Sequence, residues 1–452
     1  MPIKIDNIYL DESNYEFNKA LELVLNGEKL IYLTGKAGSG KTTFLKYIRQ
    51  VIEKKVVVLA PTGVAALNAG GQTIHSFFKI APSIYLPDDF RLRLKSDPDN
   101  SDKRTIFDFF NYRKNHKNLI KSMELLIIDE VSMVRCDLLD VVDNLLRTFR
   151  DNLKEPFGGV QVLLIGDAYQ LPPIVNDEHW NLLSRFYRSP FFFDSNVLTN
   201  FKPKYLELKK IYRQSDLKFI NLLNNIRTNN IKQEDLDLLN SRFIPSLVKN
   251  DNLDYVTIAT HNKIVDSINT RKLCELNTKE LIYEAIVDGE FPDSMLPTDK
   301  LLKLKEGAQI MFIRNDTDKK YYNGKLGRVK KLDTDKISVT LNDGKDIEVS
   351  RDIWDNVKYN WNDKEKKIEE DVIGQFIQFP LKLAWSVTVH KCQGLTFEKI
   401  IADINNSFSA GQVYVALSRC TSLEGIILKS RITRSSIKTD PFVERFSENQ
   451  FS

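Results

Sequence analysis

The chain is poor in the features that mark several protein classes. Its 452 residues include only four cysteines, Cys136, Cys274, Cys392 and Cys420. They lie far apart, with neither zinc-ligand spacing nor a compact disulfide framework, which suits a reducing compartment. No apolar run is long enough to cross a bilayer. The opening stretch, MPIKIDNIYLDESNYEF, scatters charges where a signal peptide would carry its apolar core. A soluble, cytoplasmic protein with no membrane partner is the expectation. An excess of one charge sign is also missing: 65 Lys+Arg against 61 Asp+Glu leaves a net charge of only +4. Binding to nucleic acid would therefore require basic residues gathered locally. There is no fixed-period repeat and no low-complexity tract. With 42 % hydrophobic and 28 % charged residues, the composition is that of a globular protein with room for two or three domains.

What is present is an alternation of short apolar runs with amphipathic segments, the signature of parallel α/β units. The runs are LIYLTG (30–35), VVVLAP (56–61), LLIIDE (125–130) and VLLIGD (162–167). Each ends in Gly, Pro or acidic residues. Ligands gather at the carboxyl ends of strands in open α/β sheets, so four such ends predict one shared site. Residues 82–120 interrupt the rhythm and read as an insertion. A second α/β pattern starts near YVTIAT (255–260) and resumes near FEKIIADI (397–404). Between them, alternating β-branched residues flank an Asn342-Asp343-Gly344 turn, which predicts antiparallel hairpins.

Gly35-Lys36-Ala37-Gly38-Ser39-Gly40-Lys41-Thr42 matches a phosphate-binding loop in full, after an apolar strand and before the amphipathic TTFLKYIRQVI that begins with Thr42-Thr43. The glycines allow backbone N–H groups to turn towards phosphates. Lys41 would reach the β- and γ-phosphates of ATP, and Thr42 would place its hydroxyl on Mg²⁺. Asp129 and Glu130 end the apolar strand 125–128, where two adjacent carboxylates are costly to bury without a cation. Asp129 suits Mg²⁺, and Glu130 suits polarising the attacking water. The pattern specifies triphosphate hydrolysis without saying what it drives.

The series GKAGSGKT, APTGVAALNAGGQTIHSFF, IIDEVSM, LIGDAYQLPPI, IYRQ, SVTVHKCQGLTF and GQVYVALSRC resembles, in order and spacing, a superfamily 1 helicase of class B. It is most similar to the Pif-type (petite integration frequency) group, with kinship to RecD and Dda, over about residues 14–430. The resemblance implies that Pro61, Thr62, Gly63, His75, Ser76 and Phe77 contact a nucleic-acid strand, with Phe77 stacking a base. The competing reading places Phe77 and Phe78 in the core. It implies that Gln170 senses the γ-phosphate while the double proline stiffens the chain after it. Arg213 and Arg419 would reach the same phosphate from the second domain as arginine fingers. Thr388, His390, Lys391 and Gln393 would hold the strand's phosphates and sugars without reading sequence. Gln412 would lie near the nucleotide. In place of the family's adenine-reading glutamine, the candidate is Asn18, whose carboxamide sits on a shorter arm.

The fold expected is α/β, two RecA-like P-loop domains with an inserted β-rich, SH3-like subdomain. The expected first domain is 1–195, with a wedge-like insertion at 82–120. The second is 196–310 with 380–440, interrupted by the insert at 311–379, and 441–452 forms a tail. A basic stretch at 301–331 is expected either to lie on a solvated face or to close over the strand. The function implied is ATP-dependent translocation, 5′→3′, on single-stranded DNA with unwinding of tailed duplex, in replication, recombination or repair. RNA stays open as a partner, and a monomer is expected. The alternatives are a motor that displaces proteins without unwinding, or an ATP-switched binding protein.

Overall fold

A computed structural model describes residues 11, 13–94, 104–248, 255–316, 318, 320–405, 407 and 409–451. The first domain is built on a six-stranded sheet. Its strands are β1 (Leu30–Gly35), β2 (Val56–Ala60), β3 (Gln72–Thr73), β4 (Leu125–Ile128), β5 (Gln161–Ile165) and β6 (Lys204–Leu208). They pair in parallel in the order β3-β2-β4-β5-β1-β6. Strands β1, β4 and β5 are buried along their whole length, which explains why they read as unbroken apolar runs. Alternate side chains feed two cores. Ile31 and Leu33 face Phe17 and Phe44 of the helices Tyr15–Leu25 and Lys41–Val51. Leu30 and Tyr32 face the side that holds Leu138 and Leu145 of the helix Cys136–Phe149. All strands run the same way, so the segments after β1, β2, β4 and β5 emerge on one edge, as the four apolar runs predicted.

The second domain has a smaller parallel sheet, ordered Ser386–Thr388, Val256–Ala259, Ile400–Asp403, Ile426–Leu428. Between its strands lies the expected antiparallel material. The Asn342-Asp343-Gly344 turn joins Ile337–Leu341 to Asp346–Val349, with Gly344 at φ 82°. Antiparallel pairing already begins at Glu280–Glu284, well before residue 311. A long hairpin, Asp352–Asn362 with Lys367–Gln378, reaches the first domain. There Tyr359 is buried in the core and its hydroxyl accepts from Val58 N at 3.1 Å, while Glu370 pairs with Arg49 at 2.9 Å.

Of the 82–120 insertion, residues 95–103 lie outside the described residues. The rest packs on the first domain: Tyr85, Ile106, Phe110 and Tyr112 join its core. The stretch expected as a tail is instead a helix, Pro441–Phe451. Val443 is buried against the first domain, and Phe446 stacks on Phe193 with centroids 4.2 Å apart. No helix among the described residues is long and apolar enough to cross a membrane.

Candidate nucleotide and strand site

The phosphate loop joins β1 to the helix Lys41–Val51. Gly38 and Gly40 have φ of 80° and 93°, so both need the freedom of glycine. A Cβ on Gly38 would also lie 2.5 Å from Cβ of Arg213, so the loop is shaped around that arginine. Lys41 Nζ donates to the carbonyls of Gly35 at 2.5 Å and Lys36 at 3.2 Å. Burial pulls its pKa down. The buried Ser39 hydroxyl has no hydrogen-bond partner among the described residues. Thr42 and Thr43 are exposed in the first helical turn, where backbone N–H groups lack helical partners. These groups fit a polyphosphate: an ammonium folded back on the loop, an unpartnered hydroxyl and a helix N-terminus meet in one loop.

Strand β4 delivers Asp129 and Glu130 to the same edge. Glu130 has a left-handed φ of 50°, a strained conformation for a side-chain-bearing residue. Burial, then the neighbouring Glu130 charge, pushes Asp129 up to about 7. Burial also raises Glu130, against the pull of Lys41 and Arg419. Two adjacent buried carboxylates with this mutual repulsion have the chemistry that a divalent cation would offset. After β5, Asp167 and Gln170 are both buried, and Gln170 Nε2 donates to Asp167 Oδ2 at 3.4 Å.

Two arginines arrive from the other side of the cleft. Arg213 Nη1 donates to the Ser418 carbonyl at 3.1 Å, and burial followed by the Arg419 charge lowers its pKa to about 9. Arg419 is only 2 % exposed and donates to Val415 O and Ser418 Oγ, each at 3.0 Å. Neither forms an ion pair with a carboxylate among the described residues. Two buried, like-charged guanidinium groups beside the phosphate loop suit an anion, and a triphosphate has the right charge. Gln412 is buried at the start of the helix Gln412–Leu417, and its Oε1 accepts from Ser409 N at 3.4 Å.

The residues expected on the strand divide. Thr62 caps the helix Gly63–Ala69 by accepting from Ala65 N at 3.3 Å, and it is exposed, with Pro61 half-buried beside it. A Cβ on Gly63 would come within 2.7 Å of the Ser294 carbonyl, so its backbone is closely covered. His75 is half-buried, with its pKa lowered by burial and then by Arg135, and Ser76 is exposed. Phe77 corrects the expectation. It is 1 % exposed, packed edge-on against Phe78 at 4.8 Å in the core, where it has no face for a base. Thr388 is buried and its hydroxyl accepts from Lys391 N at 3.3 Å, while Lys391 is exposed and His390 half-buried. Burial lowers the His390 pKa. Gln393 is a second correction: its Nε2 donates to Glu130 Oε2 at 2.9 Å and lies 3.4 Å from Gln170 Oε1. It therefore points at the nucleotide site.

Several cations of the basic stretch are paired with carboxylates that lie beyond it in the chain. Lys325 pairs with Glu398 at 3.2 Å, Lys331 with Asp333 at 2.9 Å and Arg314 with Asp352 at 2.9 Å. Lys330 pairs with Asp346 as well. Lys319 lies outside the described residues. A cavity of about 340 Å³ opens elsewhere on the first domain, beside Asp137, Asp140 and Asp143. Each of these aspartates is satisfied by neighbours, Asp140 by Tyr187 Oη and the N–H groups of Asn196 and Val197, so the cavity holds no reactive group in waiting.

The family model described as PIF1-like helicase matches residues 10–237. The chain belongs to the PIF1-like helicase family. It is 30 % identical over 444 residues to the ATP-dependent DNA helicase Pif1 of Bdellovibrio bacteriovorus, covering 96 % of this chain and 91 % of that one. It superposes on a Bacteroides sp Pif1 in complex with ADP-AlF4 with TM-score 0.88, 41 % identity and 96 % of each chain covered. Against Bacteroides Pif1 bound to ssDNA, at the same identity and coverage, the TM-score is 0.66. Unliganded Pif1 from Bacteroides sp gives 0.87, and the complex with ADP-AlF3 and ssDNA gives 0.66. The arrangement here is thus closer to the DNA-free structures than to those holding ssDNA, whether or not nucleotide is present.

Within this PIF1-like chain, several site residues escaped the sequence. Asn18 is exposed on its helix. One turn earlier, Asn14 is buried, caps the helix by accepting from Phe17 N at 3.0 Å and donates to Tyr212 Oη at 2.9 Å. Tyr212 in turn donates its N–H to the Gly38 carbonyl at 2.9 Å and lays its ring beside Gly40. Asn14 is therefore the carboxamide next to the loop. Tyr414 accepts the Ala37 N–H on its hydroxyl at 2.9 Å, and Arg227 pairs with Asp167 at 2.9 Å. Tyr414 sits in a quoted motif, but only the fold brings it to Ala37. No spacing signal could have flagged Arg227.

Proposed function

We propose that this chain is an ATP-dependent DNA helicase that moves along a single strand and unwinds duplex ahead of it. The observation that carries the reading is the convergence of Arg213 and Arg419 from one domain on the phosphate loop, Glu130 and Gln170 of the other. A cleft so built closes on a triphosphate and loosens when the γ-phosphate leaves. The fold is two RecA-like domains, which we divide after Leu208 rather than at 195, because β6 (Lys204–Leu208) pairs with β1 in the first sheet. The second domain runs on to 310 and resumes over 380–440. The SH3-like β-rich insert is centred on 311–379, and its antiparallel pairing extends back to Glu280.

In this reading the loop from Gly35 through Ala37, Gly38, Ser39 and Gly40 to Lys41, with Thr42 and Thr43, holds the phosphates, and Asn14 rather than Asn18 lies nearest the base. Gln412 orders the turn behind the loop. Thr42 and Asp129 are the residues that would hold Mg²⁺, which supplies charge neutralisation on the phosphates. Glu130 accepts the proton of the attacking water. Arg213 and Arg419 stabilise charge on the transferring phosphoryl group. Gln170 and Gln393 link that event to both domains. Pro61, Thr62, Gly63, Ser76 and His75 on one domain, and Thr388, His390 and Lys391 on the other, grip the strand in alternation. Backbone contacts of this kind act on any sequence. Movement is 5′→3′, as the class-B resemblance implies, and the working unit is a monomer on single-stranded DNA, with RNA as the second strand to be tried. The test is ATP hydrolysis with and without single-stranded DNA or RNA. Stimulation by neither strand would refute the reading.

A further inference from the structure

The turn that carries Gln170 is held from the second domain by a buried arginine. Arg227 ends the helix Leu217–Arg227. It donates to Asp167 Oδ1 from Nη2 at 2.9 Å and from Nε at 3.3 Å. Its guanidinium lies 4.2 Å from the ring centroid of Tyr169, and its Nη1 is 3.7 Å from Glu207 Oε1. Its carbonyl accepts from the Thr439 hydroxyl at 3.1 Å. Both charged side chains are almost wholly buried, Asp167 at 0 % and Arg227 at 7 % exposure. Burying such a pair contributes little net stability, because desolvation offsets the attraction. Its effect is on geometry.

Asp167 is where that geometry is passed on. Its carbonyl accepts from Gln170 N at 2.9 Å, and its carboxylate accepts from Tyr169 N at 3.2 Å and Gln170 Nε2 at 3.4 Å. Gln170 Oε1 accepts from Gln393, which also donates to Glu130. One run of hydrogen bonds therefore leads from Arg227 through Asp167, Gln170 and Gln393 to Glu130, crossing the domain boundary three times. The turn has little room to relax another way. A Cβ on Gly411 of the second domain would lie 2.3 Å from the Gln170 carbonyl, so that backbone is already pressed against it.

We propose that Arg227 is a positioning residue for ATP hydrolysis, holding Asp167 and through it Gln170 in register with the phosphate while the two domains are docked. This rests on the reading of the cleft as an ATPase site. Arg227 does not touch the nucleotide in this account. Removing it leaves the phosphate loop intact but lets the Gln170 amide swing. The loss falls on turnover and spares nucleotide binding.

The experiment compares wild type, Arg227→Lys, Arg227→Met, Asp167→Asn and the Arg227→Met/Asp167→Asn double variant. Each full-length protein is assayed for ATP hydrolysis on saturating oligo-dT, for affinity towards a fluorescent ADP, and for thermal melting. Arg227→Met should lower kcat about 10- to 100-fold, the scale of a positional error of about 1 Å. ATP KM and ADP affinity should stay within about threefold, as for an interaction used only in the transition state. The double variant should be no worse than the poorer single one, because both cut the same link. Unchanged kcat, or kcat and ADP affinity falling together, or additive losses, would overturn the proposal. Should the Met variant fail to fold, Arg227→Lys keeps the buried charge but loses the planar fork. Its kcat must then fall with ADP affinity kept, and wild-type kcat would overturn the proposal. A wild type that does not hydrolyse ATP on the strand defeats the ATPase reading and this proposal with it. An active wild type matched by its variants defeats this proposal alone.

Discussion

Replacing Glu130 by glutamine separates chemistry from binding at this site. Gln393 donates its side-chain amide to Glu130 Oε2 at 2.9 Å. A glutamine at 130 can still accept that bond through its carbonyl oxygen, so the side chain keeps its place. What it loses is the capacity to take a proton. Loss of a positioned general base costs about 10²–10⁴ in rate, or about 2.7–5.4 kcal/mol at 1.36 kcal/mol per decade. Gln170 is an amide and cannot take over. Asp129 is committed to the cation. The charge change also acts on binding: Glu130 is the second cause of the raised Asp129 pKa, and removing it makes Asp129 easier to ionise. Affinity for ATP with Mg²⁺ should therefore be unchanged or higher in Glu130→Gln. Single-turnover hydrolysis on single-stranded DNA, with nucleotide affinity measured in parallel, checks both halves. Near-normal turnover would remove Glu130 from the role of base. Lost affinity would refute the electrostatic argument.

Arg213→Ala and Arg419→Ala should each lower strand-stimulated hydrolysis by about 10³-fold or more, the low end for arginine fingers, with ADP binding retained. Loss of ADP binding in step with activity would contradict the finger role. Phe77→Ala should destabilise the fold by about 3–5 kcal/mol, the cost of a large cavity in a core, as read in denaturant melts. At a temperature where the variant is folded, its affinity for single-stranded DNA should match wild type, and a selective loss of strand binding would restore the stacking role. The raised Asp129 pKa makes a pH prediction for protein in EDTA without nucleotide. Its folded value of about 7 exceeds the reference 3.8, so its stabilising contribution is complete below about pH 4 and lost as pH rises through 7. The melting temperature of wild type minus that of Asp129→Asn should fall over that window. A flat difference would show that Asp129 is not held protonated.

The parts of this fold that could be read from the sequence are those set by one short segment. Strands buried on both faces leave unbroken runs such as LLII before Asp129, and a phosphate loop needs its glycines within eight residues. The residues that could not be read depend on which way a turn faces or on a partner far along the chain. Arg227 resembles any basic residue in the last turn of an amphipathic helix, and its aspartate lies sixty residues earlier. Gln393 follows the exposed Lys391 by two positions yet faces the opposite way, into the cleft. Asn14 and Asn18 are equivalent in composition, and only the helix cap puts the first inside. Phe77 looks like a stacking platform until the helix Lys114–Ser122 and the hairpin bearing Tyr359 close over it. Lysines of 301–331 find carboxylates beyond the stretch, Lys325 on Glu398 and Lys330 on Asp346, where a linear reading sees only a local excess of positive charge.

Steady-state ATP hydrolysis and duplex unwinding, measured together on 5′-tailed and 3′-tailed substrates, test the central claim most directly. The account predicts strong stimulation of hydrolysis by single-stranded DNA and unwinding of the 5′-tailed duplex alone. Hydrolysis indifferent to any strand, with neither duplex opened, would contradict it.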